Sequence, residues 1–80
     1  MAVQYRPDEH RITISGVIGV EEAEELCQLL AENPGAPLNL AECQHLHTAV
    51  LQVLMAARCT VAAPPQDPLL RGLIMPALSR

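Results

Sequence analysis

Cys43, His45 and His47 stand at alternate positions in the run "AECQHLHT", and Thr48 comes directly after them. These residue types allow three chemistries. Cys and His are zinc ligands, and alternate residues of an extended segment face one way, so Cys43, His45 and His47 could form three corners of a metal site. The fourth corner would have to be Glu42 or His10, and spacing places neither. A thiol beside an imidazole is also a possible nucleophile. Catalysis, however, needs a third group to orient the base, and no cleft or oxyanion hole is readable in 80 residues. The third chemistry is recognition: a hydroxyl, Thr48, at the start of a helix whose outer side carries no charge. Recognition is the preferred reading, with no metal or other cofactor and no intrinsic catalytic activity expected.

The elements that must position this cluster can be read from periodicity. Residues 2–5 and 11–15 read as strands. Ile12 and Ile14 alternate with Arg11, Thr13 and Ser15, and the polar "RPDEH" between the strands makes a turn. Gly16 and Gly19 punctuate the chain after the second strand, and "GVIG" lacks the length and the Lys of a phosphate loop. "VEEAEELCQLLAEN" predicts a first helix with Val20, Ala23, Leu26, Cys27 and Leu30 on a buried stripe. Cys27 is therefore expected to be a core thiol. The Glu residues lie on the solvated side, and the early ones complement the helix dipole.

After the break at "NPGAP" comes a short strand, "LNLA", and then a second helix over 48–58. In steps of about 100°, Val50, Leu51, Val53, Leu54 and Ala57 fall on its inner side. Thr48, Ala49, Gln52, Met55 and Ala56 fall on its outer side. A solvated helix normally carries Lys and Glu there. An outer side with neither, and with a Met, reads as a docking face for a partner protein or for a second copy of the chain. "CTVAA" is a further strand. Asp67 is the expected cap of a third helix, with Pro68 at its first position, Leu69, Leu70, Leu73 and Ile74 on its stripe, and Pro76 ending it. The order β-β-α-β-α-β-α predicts a single α/β domain over residues 1–80, with a mixed, mainly parallel sheet.

Composition narrows the partners. Half the residues are hydrophobic, yet Tyr5 is the sole aromatic, so the core must be aliphatic. A net charge of −4 with five scattered basic residues argues against nucleic acid. Three cysteines without tight spacing fit a reducing cytoplasm better than a disulfide framework. The N-terminal "MAVQYRPDEHR" has no apolar core of a signal peptide, and "LLRGLIMPAL" is too short to cross a bilayer.

The run "PLNLAECQHLHTAVLQVLMAA" resembles the signature of STAS domains, the fold of bacterial anti-sigma factor antagonists. In that family a strand ending Asp-Leu-Ser leads through an Ile/Leu-Asp-Ser/Thr-Ser/Ala-Gly-Leu loop into an apolar helix. Here the strand ends Asn39-Leu40-Ala41, the loop reads Leu46-His47-Thr48-Ala49-Val50-Leu51, and the helix goes on Gln52-Val53-Leu54. "ISGVIGVEEAEELCQLL" looks like the family's upstream strand, Gly turn and first helix, and "AAPPQDPLLRGLIMPAL" like its later strand and third helix. The resemblance implies a non-enzymatic cytoplasmic switch protein. Its partner would be an anti-sigma kinase of the histidine-kinase ATPase type, and Thr48 would be the phosphorylated hydroxyl. His47 stands where the family has Asp, and Val50 where it has Gly. Similar domains also serve as accessory subunits of lipid-transporting ABC complexes or sit beside chemotaxis proteins. The partner-binding residues expected on this basis are His47, Thr48, Ala49, Gln52, Met55 and Ala56.

Overall fold

A computed structural model of the chain describes residues 3–78. Ala2 of the expected first strand lies outside them. The described residues form six strands and three helices in the order β1 (Val3–Arg6), β2 (Arg11–Ile14), β3 (Gly16–Ile18), α1 (Glu22–Glu32), β4 (Leu38–Asn39), β5 (Cys43–Leu46), α2 (Thr48–Ala56), β6 (Val61–Ala63) and α3 (Pro68–Leu78). The main sheet is mixed, ordered β1-β2-β4-β6; β1 pairs antiparallel with β2, and the other two pairings are parallel. The α/β class and the mainly parallel sheet are as expected. The separate parallel ribbon of β3 with β5 is an addition to the expected order. Periodicity makes Gly16 a punctuation mark and assigns "CQHL" to no element. They form strands because each backbone finds the other as its ladder partner, a long-range event without a local signal.

Both crossovers, β2 to β4 through α1 and β4 to β6 through α2, step the same way across the sheet. Right-handed connections then put both helices on one face, and α3 packs beside α2. The core lies under them. Val3, Ile12, Ile14 and Leu38 from the strands, with Leu40 just after β4, meet Leu26, Val50, Leu54, Leu70 and Ile74 from the helices, all of them buried. No helix among the described residues is long and apolar enough to cross a membrane.

Three stripes differ from expectation. On α1 the inner face is centred on Leu26, with Ala23, Leu29 and Leu30 packed around it, so Cys27 turns outward and is exposed. It sits about 100° from Leu26, at the margin of the stripe rather than within it. Val20 precedes the helix and is also exposed. α1 starts instead with a reciprocal lock: the Gly19 N–H donates to the Glu22 carboxylate at 2.9 Å, and the Glu22 N–H donates to the Gly19 carbonyl at 3.2 Å. On α3, Leu70 and Ile74 are buried, but Leu69 and Leu73 are 80% and 70% exposed, because a terminal helix with one neighbour has only a narrow inner side. Pro76 does not end α3; the helix runs on to Leu78, which packs against the core. In the last turn the ring removes a single bond, the one to exposed Gly72. The cap by Asp67 stands, its Oδ1 accepting from the Leu69 N–H at 3.3 Å.

α2 closes with a Schellman arrangement: the Cys59 N–H reaches the Leu54 carbonyl at 3.4 Å and the Arg58 N–H the Met55 carbonyl at 3.1 Å. Ala57, placed on the inner side by periodicity, is the exposed residue at which the chain leaves the helix. Arg58 holds the left-handed position at φ 54°. A side chain there is strained where glycine is not. Arg58→Gly is expected to raise the unfolding free energy by about 0.5–1 kcal/mol in urea melts, the relief of strain exceeding the added freedom of the unfolded chain.

Candidate functional site

The Cys–His cluster is built where β5 runs into α2. On β3, Gly16 pairs with Cys43 and the next residue, Val17, with His45, so Gln44 is an extra residue on β5. Such a bulge breaks the strict alternation of a strand. Gly16 supplies the left-handed backbone opposite it, at φ 76°. The consequence is chemical. Cys43 and Leu46 point into the core, while Gln44 and His45 point out. The expected common face for Cys43, His45 and His47 is therefore absent. The Cys43 thiol donates to the His45 carbonyl at 3.7 Å, within its own strand. His10 lies in the hairpin turn at the far end of β2, its Nδ1 2.8 Å from the Tyr5 hydroxyl. Among the described residues no group of three or more His, Cys, Asp and Glu could hold a metal ion.

His47 is the most constrained member of the cluster. Its backbone N–H donates to the Ile18 carbonyl at 2.9 Å, tying the start of α2 to the end of β3. Its carbonyl accepts from the N–H groups of Val50 and Leu51 at 3.0 and 3.1 Å. Its Nδ1 accepts from the Ala49 N–H at 3.0 Å. His47 is thus the N-cap, with extended φ −62° and ψ 145°. An accepting Nδ1 leaves the proton of the neutral ring on Nε2. Thr48 occupies the first helical position and is exposed.

The outer side of α2 presents Thr48, Gln52, Met55 and Ala56 to solvent, with Ala49 half-buried. Ala56 also lines a depression of about 340 Å³ between α1 and α2, shared with Cys27, Leu30, Val53 and Ala57. Met55 lines another of about 360 Å³ between α2 and α3, with Leu54, Arg58, Ala77 and Leu78. Sequence reasoning missed Val17. It is 64% exposed and pairs with His45 on the outward side of the β3–β5 ribbon. The clue was present in "SGVIG": an apolar pair between glycines, of which one member has to face out of a short strand. Val17, His45, His47, Thr48 and Gln52 are all exposed, and none of them is an Asp, Glu, Lys or Arg. No protein-family model matches the chain, and no curated protein matches it.

The three thiols are free and differ in setting: Cys27 is exposed, and Cys43 and Cys59 are buried. Burial pushes the Cys43 and Cys59 thiols above their ordinary pKa. Thiolate is the reactive form, so one thiol per chain should react quickly with a disulfide reagent at neutral pH, and Cys27→Ser should remove that phase. The two slow phases should accelerate as pH rises beyond the ordinary thiol range. His47→Ala should cost about 1 kcal/mol of stability, and Thr48→Ala should stay within about 0.5 kcal/mol of the parent, both from urea melts.

Proposed function

We propose that this chain is a bacterial regulatory protein of the anti-sigma factor antagonist type, a non-enzymatic STAS-like module that docks a partner through the start and outer side of α2. The observation that carries the reading is Thr48. It is an exposed hydroxyl at the first position of a helix whose outer side, Thr48, Ala49, Gln52, Met55 and Ala56, carries no Asp, Glu, Lys or Arg. A phosphate at this position adds about −1.5 to −2 charges, which the helix N-terminus tolerates and an uncharged partner surface does not. The partner class comes from the resemblance: a kinase of the histidine-kinase ATPase type that both binds the face and modifies it.

The two departures from the family pattern have physical roles in this fold. His47 caps α2 through an acceptor nitrogen, a task an Asp carboxylate can also perform. Val50 is fully buried and fills the core beneath the helix, so its methyl groups leave the docking surface untouched.

The test is capture of the native partner by tagged protein, with affinity then measured for the purified pair. Gln52→Lys and Thr48→Asp should each weaken binding about tenfold or more, a loss of about 1.4 kcal/mol. Both positions are exposed, so thermal stability should be nearly unchanged. Mass spectrometry of protein from the native cell should find a phosphorylated fraction at Thr48. Unchanged affinity in both variants, with no phosphate at Thr48, would sink the proposal.

A further inference from the structure

Five basic residues serve the whole chain, all arginines, and two of them stand side by side. Arg6 and Arg11 are directly opposite each other across the β1–β2 hairpin. Side chains alternate along a strand. Val3, Ile12 and Ile14 are buried under the helices and Tyr5 packs against the core, so Gln4, Arg6, Arg11 and Thr13 project from the other face. All three helices lie on the first face, which leaves the second uncovered. Gln4 sits opposite Thr13, and Thr13 is in register with Asn39. The Asn39 Oδ1 accepts from the Ala41 N–H at 3.1 Å.

The uncovered face thus carries two guanidiniums, two carboxamides and a hydroxyl; carboxylates come in only at the β1 edge, where Asp8 and Glu25 line a shallow depression with Gln4 and Arg6. Asp8 and Glu9 lie in the adjoining turn and are exposed. Among the described residues neither guanidinium has an ion-pair or hydrogen-bond partner. Like charges directly opposite on a sheet repel and destabilise it. The hairpin therefore holds its two cations together at a cost, in a chain of net charge −4.

We infer that this face is a docking surface for an acidic, extended segment of a partner protein, with two carboxylates bound by Arg6 and Arg11. Guanidinium groups bind carboxylates through paired N–H donors. Alternate residues of an extended segment present their carboxylates on one side, roughly 7 Å apart. The surface is a sheet face rather than a concavity, which suits a segment of chain and not a small molecule. A bilayer is disfavoured, because each basic residue adds little and the rest of the chain is repelled by anionic lipid. The face is distinct from the α2 site and does not rest on it.

The probe is a blocked peptide of alternating Glu and Ser, titrated into 15N-labelled full-length protein, with alternating Gln and Ser as the control. Saturable shifts at the Arg6, Arg11 and Thr13 amides and at the two Arg side chains are expected with the Glu peptide alone. Arg6→Gln and Arg11→Gln should each weaken binding at least fivefold. Relief of repulsion should leave the Tm of each variant unchanged or about 2 °C higher. Equal shifts with the Gln peptide, shifts confined to other faces, or undiminished binding in both variants would overturn the proposal. So would tighter binding to phosphatidylserine vesicles than to the peptide. A Tm drop of several degrees in either variant would make the pair structural and also overturn it.

Discussion

Ile12 and Ile14 of β2, Leu38 of β4 and Leu40 just beyond it are fully buried on one side of the sheet, and each of the three helices has to reach that side to bury its own stripe. With no Phe or Trp, the core has no large rigid plate to cover a sheet face with few side chains. The aliphatic groups from strands and helices must interdigitate over a short distance, at the packing density of protein interiors. Burying a Leu, Ile or Val side chain is worth about 1.5–3 kcal/mol. In a chain of this size each such contact is a sizeable share of the margin between folded and unfolded. The exposed leucines of α3, the outward turn of Cys27 and the bare second face of the sheet all result from confining burial to one side.

The same constraint sets the two proposed docking surfaces apart. The β3–β5 ribbon extends the parallel strands beyond the main sheet, and the His47 N–H to Ile18 carbonyl bond fastens α2 to its end. The start of α2 is therefore held by backbone bonds to a strand, by a side-chain cap and by Val50 in the core. A hydroxyl at Thr48 mounted on such a support keeps its position while remaining open to solvent. That is the geometry a modification-sensitive docking face requires, and it underlies the regulatory role proposed for the chain. On the far side, the hairpin presents Arg6 and Arg11 from strands whose register is held by Val3, Tyr5, Ile12 and Ile14 on the opposite face. Core packing on one side thus fixes the placement of cations on the other.

The Cys43, His45 and His47 cluster illustrates how a one-residue change of register alters chemistry. On a straight strand the three side chains converge. The bulge at Gln44 separates them: one thiol goes into the core, one imidazole goes to solvent, and the other imidazole is engaged in capping. Burial raises the pKa of Cys43 and leaves it a poor nucleophile near neutral pH. The exposed thiol is instead the one that periodicity places in the core, Cys27.

Much of the fold was legible without coordinates, because its signals are local. The alternation of Ile12 and Ile14 marked a half-buried strand, the Asp67-Pro68 pair marked the start of α3, and the order of strands and helices marked the α/β class with a mainly parallel sheet. The uncharged outer side of α2 could also be read from spacing, since a helix repeats every 3.6 residues whatever surrounds it. What spacing could not supply was anything that depends on a partner distant in sequence. β3 and β5 are strands only because they pair with each other, and the bulge that turns Cys43 inward exists only in that pairing. His47 caps α2 with an extended backbone whose N–H is bonded to Ile18, a residue 29 positions away in the chain. Periodicity also assigned Leu69, Leu73 and Cys27 to buried stripes, but the width of a buried stripe is set by how many neighbours a helix has. The side chains alone determined which faces could be buried; the tertiary structure decided which of them were, because burial requires a second surface and the sequence names that surface only through the fold.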